Sequence, residues 1–338
     1  MSSYPDDFDS SRYGVIVNRN PNYTNFEFDP ISIPVFISLL PFLYIIPTCG
    51  VILRIINVYV RKGLHKKDDM VNRHVFLVII LAQLTSMCFF FSDFLTVRLP
   101  STGIMTSWCY EQEPSSSMNL LFTSQMYFTY TDVIYPALLS IVRLVPIYYP
   151  NTHWEVNSKI LRVSIPLIYV YPLVLVLFMI PALGICRQYP DFYGFGAVYI
   201  HFFGSWKHMK NAPFEFVSCI FWLSVFLSSN FVLHRKLRQL ASSSLHTNRG
   251  TRYHRAEVSL TLTSTSMILA YLTNLVFLMT FLIDPHIASY SVVLRPFGTD
   301  LKTCVVTWVF YMTHPAFYGK KILSSSTNAS RQKTLVHL

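Results

Sequence analysis

MNLLFTSQMYFTYTDVIYPALLSIV, residues 118–142, carries a single formal charge, Asp132, in 25 residues. At a rise of about 1.5 Å per residue, roughly 20 apolar residues cross a hydrocarbon core about 30 Å thick, so this stretch reads as one transmembrane helix. Six further apolar runs lie at 33–59, 75–97, 160–184, 213–233, 258–283 and 292–313. Charged residues make up 13% of the chain, against about 25% in globular domains. A soluble protein would have to bury seven successive apolar helices, so the fold expected is an all-α membrane protein, a seven-transmembrane helix bundle. Its domain spans 33–318, with a tail at 1–32 before it and a tail at 319–338 after it.

Cytoplasmic flanks hold an excess of Lys and Arg. Of the 27 basic residues, 18 fall on one side, in the loops after the first, third and fifth runs and in the last tail, and seven fall on the other. The amino terminus is therefore expected outside and the carboxyl terminus inside. The net charge of +10 is spread over three loops and a tail instead of one domain face, which suits anionic lipid and argues against nucleic acid as a partner. Residues 1–32 contain no apolar core of a signal peptide, so the first helix is expected to direct insertion itself.

Six cysteines include no Cys-x-x-Cys pair, and no metal or cofactor is indicated. Cys109, just before the third run, and Cys186, just after the fourth, both face the oxidising exterior and are expected to pair. Asn22-Tyr-Thr24 is an N-glycosylation acceptor pattern on the outer side; Asn328-Ala-Ser330 repeats it on the inner side, away from the modifying enzyme. No His-Glu-x-x-His, Gly-x-Ser-x-Gly or phosphate-loop motif is present, and no carboxylates pair one turn apart within a span, so no enzymatic activity is expected.

A charge at the bilayer centre costs about 2.5 to 3.5 kcal/mol on insertion scales. Asp132 is therefore the leading intramembrane polar residue, either hydrogen-bonded to a neighbouring hydroxyl or serving as a cation or proton site. Asp93, Arg98, Asp300 and Lys302 stand near outer helix ends, as interfacial charges or as the lining of a ligand cavity. Arg143 closes the third run, eleven residues after Asp132. In G-protein-coupled receptors an arginine at this place contacts the partner protein, but the acidic residue that usually precedes it is Val142 here. His314-Pro315-Ala-Phe-Tyr318 has the spacing of the receptor motif Asn-Pro-x-x-Tyr, with His in place of Asn. The sixth run has no Trp or Pro, and the second lacks the usual mid-helix Asp, so a receptor switch would be built differently.

Five segments, NPNYTNFEFDPISIPVF (20–36), SDFLTVRLPSTGIMTSWC (92–109), MIPALGICRQ (179–188), YHRAEVSLTLTSTSMI (253–268) and RPFGTDLKTCVVTWVFYMTHP (295–315), resemble the nematode serpentine receptors of class U. The resemblance extends from the outer tail to the last helix. It departs at Thr307, where a proline would be expected before Trp308. It implies a GPCR-like bundle in the plasma membrane of sensory neurons. Such a receptor would detect an environmental or pheromonal small molecule and activate a heterotrimeric G protein.

For the ligand cavity the outer halves of the third, fifth, sixth and seventh helices are expected to contribute Tyr127, Tyr130, Trp222, Phe277, Trp308 and Tyr311, with Gln125 and Thr307 orienting the ligand. The inner loop 234–255, basic and rich in Ser and Thr, reads as a G-protein and lipid contact or as a plain connector. The competing reading is a ligand-gated channel or transporter. Against it, no internal repeat is found, and the amino terminus lies opposite to that of the insect odorant channels.

Overall fold

A computed structural model describes residues 14–63, 72–189, 193–243, 248–283 and 285–318. Seven long helices run through these residues: α1 (Ile33–Val58), α2 (Arg73–Asp93), α3 (Ser116–Tyr148), α4 (His153–Val176), α5 (Asn211–Ser243), α6 (Asn248–Ile283) and α7 (Pro285–Thr313). Six of these have the length and apolar content to cross a bilayer. The seventh has 29 residues, about 44 Å at the helical rise, and its charges at Arg295, Asp300 and Lys302 are matched by acidic and basic partners on other helices.

Helix α3 is the axis of the bundle and packs along α2, α4 and α5. Val75, Phe76 and Ile79 of α2 meet Ile134, Leu138 and Val142 of α3 and Phe310 of α7 in one buried cluster. Leu39, Leu43 and Leu53 of α1, together with Val163 and Leu167 of α4, stay exposed. Apolar side chains turned outward in this number suit hydrocarbon, in which they have nothing to avoid.

Helix ends differ from the hydropathy reading where polar chemistry decides them. The fourth helix was expected over 160–184; it begins at His153 and gives way after Val176 to a 3-10 turn, Leu177–Met179. Pro181 has no N–H to carry the helix on, and residues from Leu183 pair as a strand. The inner loop expected over 234–255 is helical in all its described residues, because α5 and α6 continue past their apolar runs. Helix propagation adds one hydrogen bond per residue whether or not the side chain is apolar. Ser244, Thr247, Lys66, Lys67 and the tail from 319 lie outside the described residues.

The loop between α4 and α5 is an antiparallel hairpin of β1 (Leu183–Gln188) and β2 (Val198–Phe203), with Cys186 opposite Ile200. Burial alternates along β2, with Val198, Ile200 and Phe202 turned inward, as period-two side chains on a half-covered strand require. On the other edge of β1, Ile16 of the first tail pairs with Arg187 and Ser115 pairs with Gly184. Residues 15–17 thus lie along this edge as a bridge: Val17 donates to the Cys186 carbonyl at 3.0 Å and Gln188 to that of Val15 at 2.9 Å. Cys109 and Cys186 are joined in a disulfide. Asn18 bridges the two half-cystines, donating to the carbonyl of Cys109 at 3.1 Å and accepting from the Cys186 N–H at 2.8 Å.

His201 of β2 lies near Arg187, and burial with that guanidinium pushes its imidazole down to about 3. An unfolded histidine titrates near 6.5, so the folded hairpin favours the neutral ring. Its contribution to stability is complete above about pH 6.5 and declines as pH falls from there toward 3. The thermal midpoint of the purified chain should fall on going from pH 7 to pH 5, and less so in His201→Gln. An equal fall in both proteins would clear His201 of the effect.

Candidate functional site

Three polar clusters tie the helices of the bundle to one another. The first forms where α2 changes pitch. Residues Phe94–Arg98 adopt a π-turn directly after Asp93. In a regular α-helix, positions five apart point roughly 140° apart around the axis; a π-turn, with its i to i+5 bonding, brings them onto one side. Arg98 Nε accordingly donates to Asp93 Oδ2 at 2.8 Å, while Nη1 and Nη2 donate to Asp300 Oδ2 and Oδ1 of α7 at 2.5 and 2.8 Å. The Tyr44 hydroxyl of α1 donates to Asp300 at 2.5 Å. Gln125 of α3 donates to Asp93 Oδ1 at 2.8 Å and accepts from Thr96 at 2.8 Å. One guanidinium thus links α2 and α7, with α1 and α3 joined through its carboxylates, and Arg98 is only 5% exposed.

The second cluster centres on Asp132 of α3, which pairs with the Lys302 ammonium of α7 and accepts from Ser86 of α2 at 2.6 Å. The third joins Arg295 of α7 to Glu215 of α5 at 3.3 Å, with Asn274 of α6 donating to the same carboxylate oxygen at 3.3 Å. Each charge has an opposite partner, the condition for tolerating charges away from water.

Between the second and third clusters lies a cavity. The volume open to the centres of water molecules is about 30 Å³, enough for a water or a small group. Asp132, Lys302 and Arg295 supply its charged wall, with Tyr271 and Asn274 of α6 alongside. Phe89, Val133, Pro136 and Met267 form the apolar wall. Tyr271 donates its hydroxyl to the Val133 carbonyl, tying α6 to α3 at the cavity edge.

Of the charged residues singled out from sequence, Asp132 and Lys302 line this cavity. The eight residues named for the ligand cavity connect helices instead. Gln125 belongs to the Arg98 cluster. Tyr127 donates to the Tyr169 carbonyl of α4 at 3.1 Å, and Tyr130 to Asn211 of α5 at 2.8 Å. Trp222 packs its ring against Tyr171 at 6.1 Å, and its indole N–H meets no acceptor among the described residues. Thr307 donates to Gln83 of α2 at 2.8 Å and Trp308 to Thr48 of α1 at 3.1 Å. Arg54 lies 5.5 Å from the Tyr311 ring, and Arg295 lies 4.7 Å from that of Phe277, which places Phe277 just beyond the cavity wall.

At the opposite end of α3, Arg143 is 3% exposed and turned toward α6. It donates to the Leu260 carbonyl at 3.0 Å, Ser264 Oγ at 2.8 Å and Thr261 Oγ1 at 2.9 Å. Neutral oxygens on α6 hold it, where an acidic neighbour would do so in the usual receptor arrangement. His314 follows α7; its Nδ1 accepts from the Ala316 N–H at 3.3 Å, and its ring meets Phe76 at 5.0 Å. Pro315 opens the short helix Pro315–Tyr318; the Tyr318 side chain lies outside the described residues. Asn22 sits exposed in the 3-10 turn Pro21–Tyr23.

Sequence comparison matches most of this chain to known proteins. The profile of the family described as "Serpentine type 7TM GPCR chemoreceptor Sru" matches residues 17–320. "Serpentine receptor class U-26" of Caenorhabditis elegans is 35% identical over 295 residues, covering 86% of this chain and 98% of that protein.

Proposed function

Because this chain belongs to the Sru family of serpentine seven-transmembrane chemoreceptors, we propose that it binds a small molecule in the cavity between α3, α6 and α7 and activates a heterotrimeric G protein at the far end of the bundle. It is a multi-pass membrane protein of a receptor family. In this reading it resides in the plasma membrane of sensory neurons. The disulfide, the hairpin and the first tail face outward, since a lasting disulfide needs an oxidising compartment, and the basic loops face inward.

One observation carries the proposal. Helix α3 holds Asp132 at the cavity and, eleven residues on or about three turns away, Arg143 against α6. A ligand that preferred a displaced α6 or α7 would therefore bias the Arg143 contacts at the other end, by a shift between two populations of the bundle. Breaking those contacts frees both the guanidinium and the inner end of α6 for a partner.

The test is G-protein dissociation in cells that display the chain. Arg143→Ala should abolish ligand-evoked dissociation at unchanged surface level. Thr261→Val with Ser264→Ala should do the opposite and raise ligand-free activity. Hydrogen bonds to a charged group are worth about 1.5 to 3 kcal/mol each, so losing two shifts the equilibrium on the order of a hundredfold or more. Unchanged signalling in Arg143→Ala would remove that residue from the mechanism. Ligand-evoked current without G proteins would replace the receptor with a channel.

A further inference from the structure

We infer that the cavity between α3, α6 and α7 recognises a small carboxylate, held between Lys302 and Arg295. The inference deepens the receptor reading and rests on it for the premise that this cavity receives the ligand; the chemistry of the ligand follows from the wall itself.

The wall has more donors than acceptors. Two cations, Lys302 and Arg295, face the cavity against one anion, Asp132. Both Asp132 oxygens are engaged, Oδ2 by Lys302 and Oδ1 by Ser86 at 2.6 Å. Glu215 is engaged likewise: Oε1 accepts from Arg295 and Asn274 at 3.3 Å each, and Oε2 from Asn211 at 3.4 Å. An ammonium carries three donors and a guanidinium five. Lys302 directs one donor to Asp132 and Arg295 directs one, at 3.3 Å, to Glu215. Among the described residues, most of the donor capacity of buried Lys302 and part-buried Arg295 therefore remains for whatever enters.

A carboxylate answers that surplus, since its two oxygens offer about four acceptor positions and charge-assisted bonds of this kind are the strong ones. An amine would bring more donors and a third positive charge beside Lys302 and Arg295. A neutral ligand would meet the same donors with weaker, uncharged acceptors. Phe89, Val133, Pro136 and Met267 line the remainder of the cavity and suit a short hydrocarbon portion. The volume of about 30 Å³ admits the carboxylate group, and a hydrocarbon portion enters as α6 moves outward, the motion that the signalling reading requires.

The experiment uses the full chain in lipid nanodiscs and measures its thermal midpoint against butyrate and hexanoate, with hexylamine and hexanamide as matched probes. The carboxylates are expected to raise the midpoint saturably and the amine and amide to leave it in place. Arg295→Gln should weaken half-saturation at least tenfold. The paired change Asp132→Asn with Lys302→Gln, which removes both charges together and leaves no lone buried ion, should do the same while keeping the probe-free midpoint close to that of the parent. Stabilisation by the amine or amide equal to that by the acids, or no shift with any probe in a chain that unfolds cooperatively, would overturn the inference. Binding here needs no G protein. A chain that binds hexanoate and never activates a G protein defeats the receptor reading alone, whereas one activated by amines defeats the carboxylate alone.

Discussion

Arg98→Met should leave almost no folded chain at the cell surface. The substitution keeps an unbranched apolar stem and removes the cation shared by Asp93 and Asp300, both buried. Breaking a buried pair by removing one partner costs about 3 to 5 kcal/mol, because the remaining charge is uncompensated. Here two carboxylates are orphaned, so the loss approaches the whole stability of an ordinary domain, about 5 to 15 kcal/mol. The triple change Arg98→Met, Asp93→Asn, Asp300→Asn should restore most of the surface signal, since neutral amides demand far less. Flow cytometry with an epitope on the first tail reads both variants. If Arg98→Met alone reaches the surface at parental level, the cluster is hydrated and its energetic role is small.

Gly184→Ala is expected to undo the hairpin cap at the disulfide end of the bundle while sparing the helices. A Cβ at this position would lie 2.3 Å from the Asn119 backbone nitrogen and 2.4 Å from Met118 Cβ, where β1 and the first turn of α3 approach backbone to backbone. Neither neighbour is the far end of a flexible side chain, so β1 must lift away. With it go the pairing to Ser115, the backbone bonds to residues 15–17, and the register that brings Cys186 to Cys109. The disulfide closes a loop of 77 residues, worth about 4 kcal/mol in chain entropy. Thiol labelling after surface isolation should find Cys109 and Cys186 largely reduced in Gly184→Ala. Gly50→Ala serves as the control, since a Cβ there meets nothing within 4 Å and alanine is favoured over glycine in a helix by about 1 kcal/mol. Full oxidation in Gly184→Ala would mean that the strand yields without breaking its pairing.

Seven crossings were legible from hydropathy because a helix in hydrocarbon must present apolar side chains along its whole length, and the run of residues records this directly. The half-cystines were legible because both had to fall at helix ends on one side of the bundle. Asp132 stood out for a similar reason, as a charge in a run that has no other. Lys302, its partner, lies 170 residues away in sequence, and nothing local connects the two. Asp93 and Arg98, five positions apart, would point roughly 140° apart on a regular helix, and the π-turn brings them together. Asp300 and Lys302, two positions apart, project about 200° apart around α7 and serve different clusters, one toward α2 and α1 and the other toward α3. The eight cavity candidates failed to line the cavity for the same reason: hydropathy reports how deep a residue sits in the bilayer, whereas the direction it faces depends on how each helix is rotated against its neighbours. That rotation is set by packing and by the pairing of buried charges across helices, and both exist only once the bundle has formed.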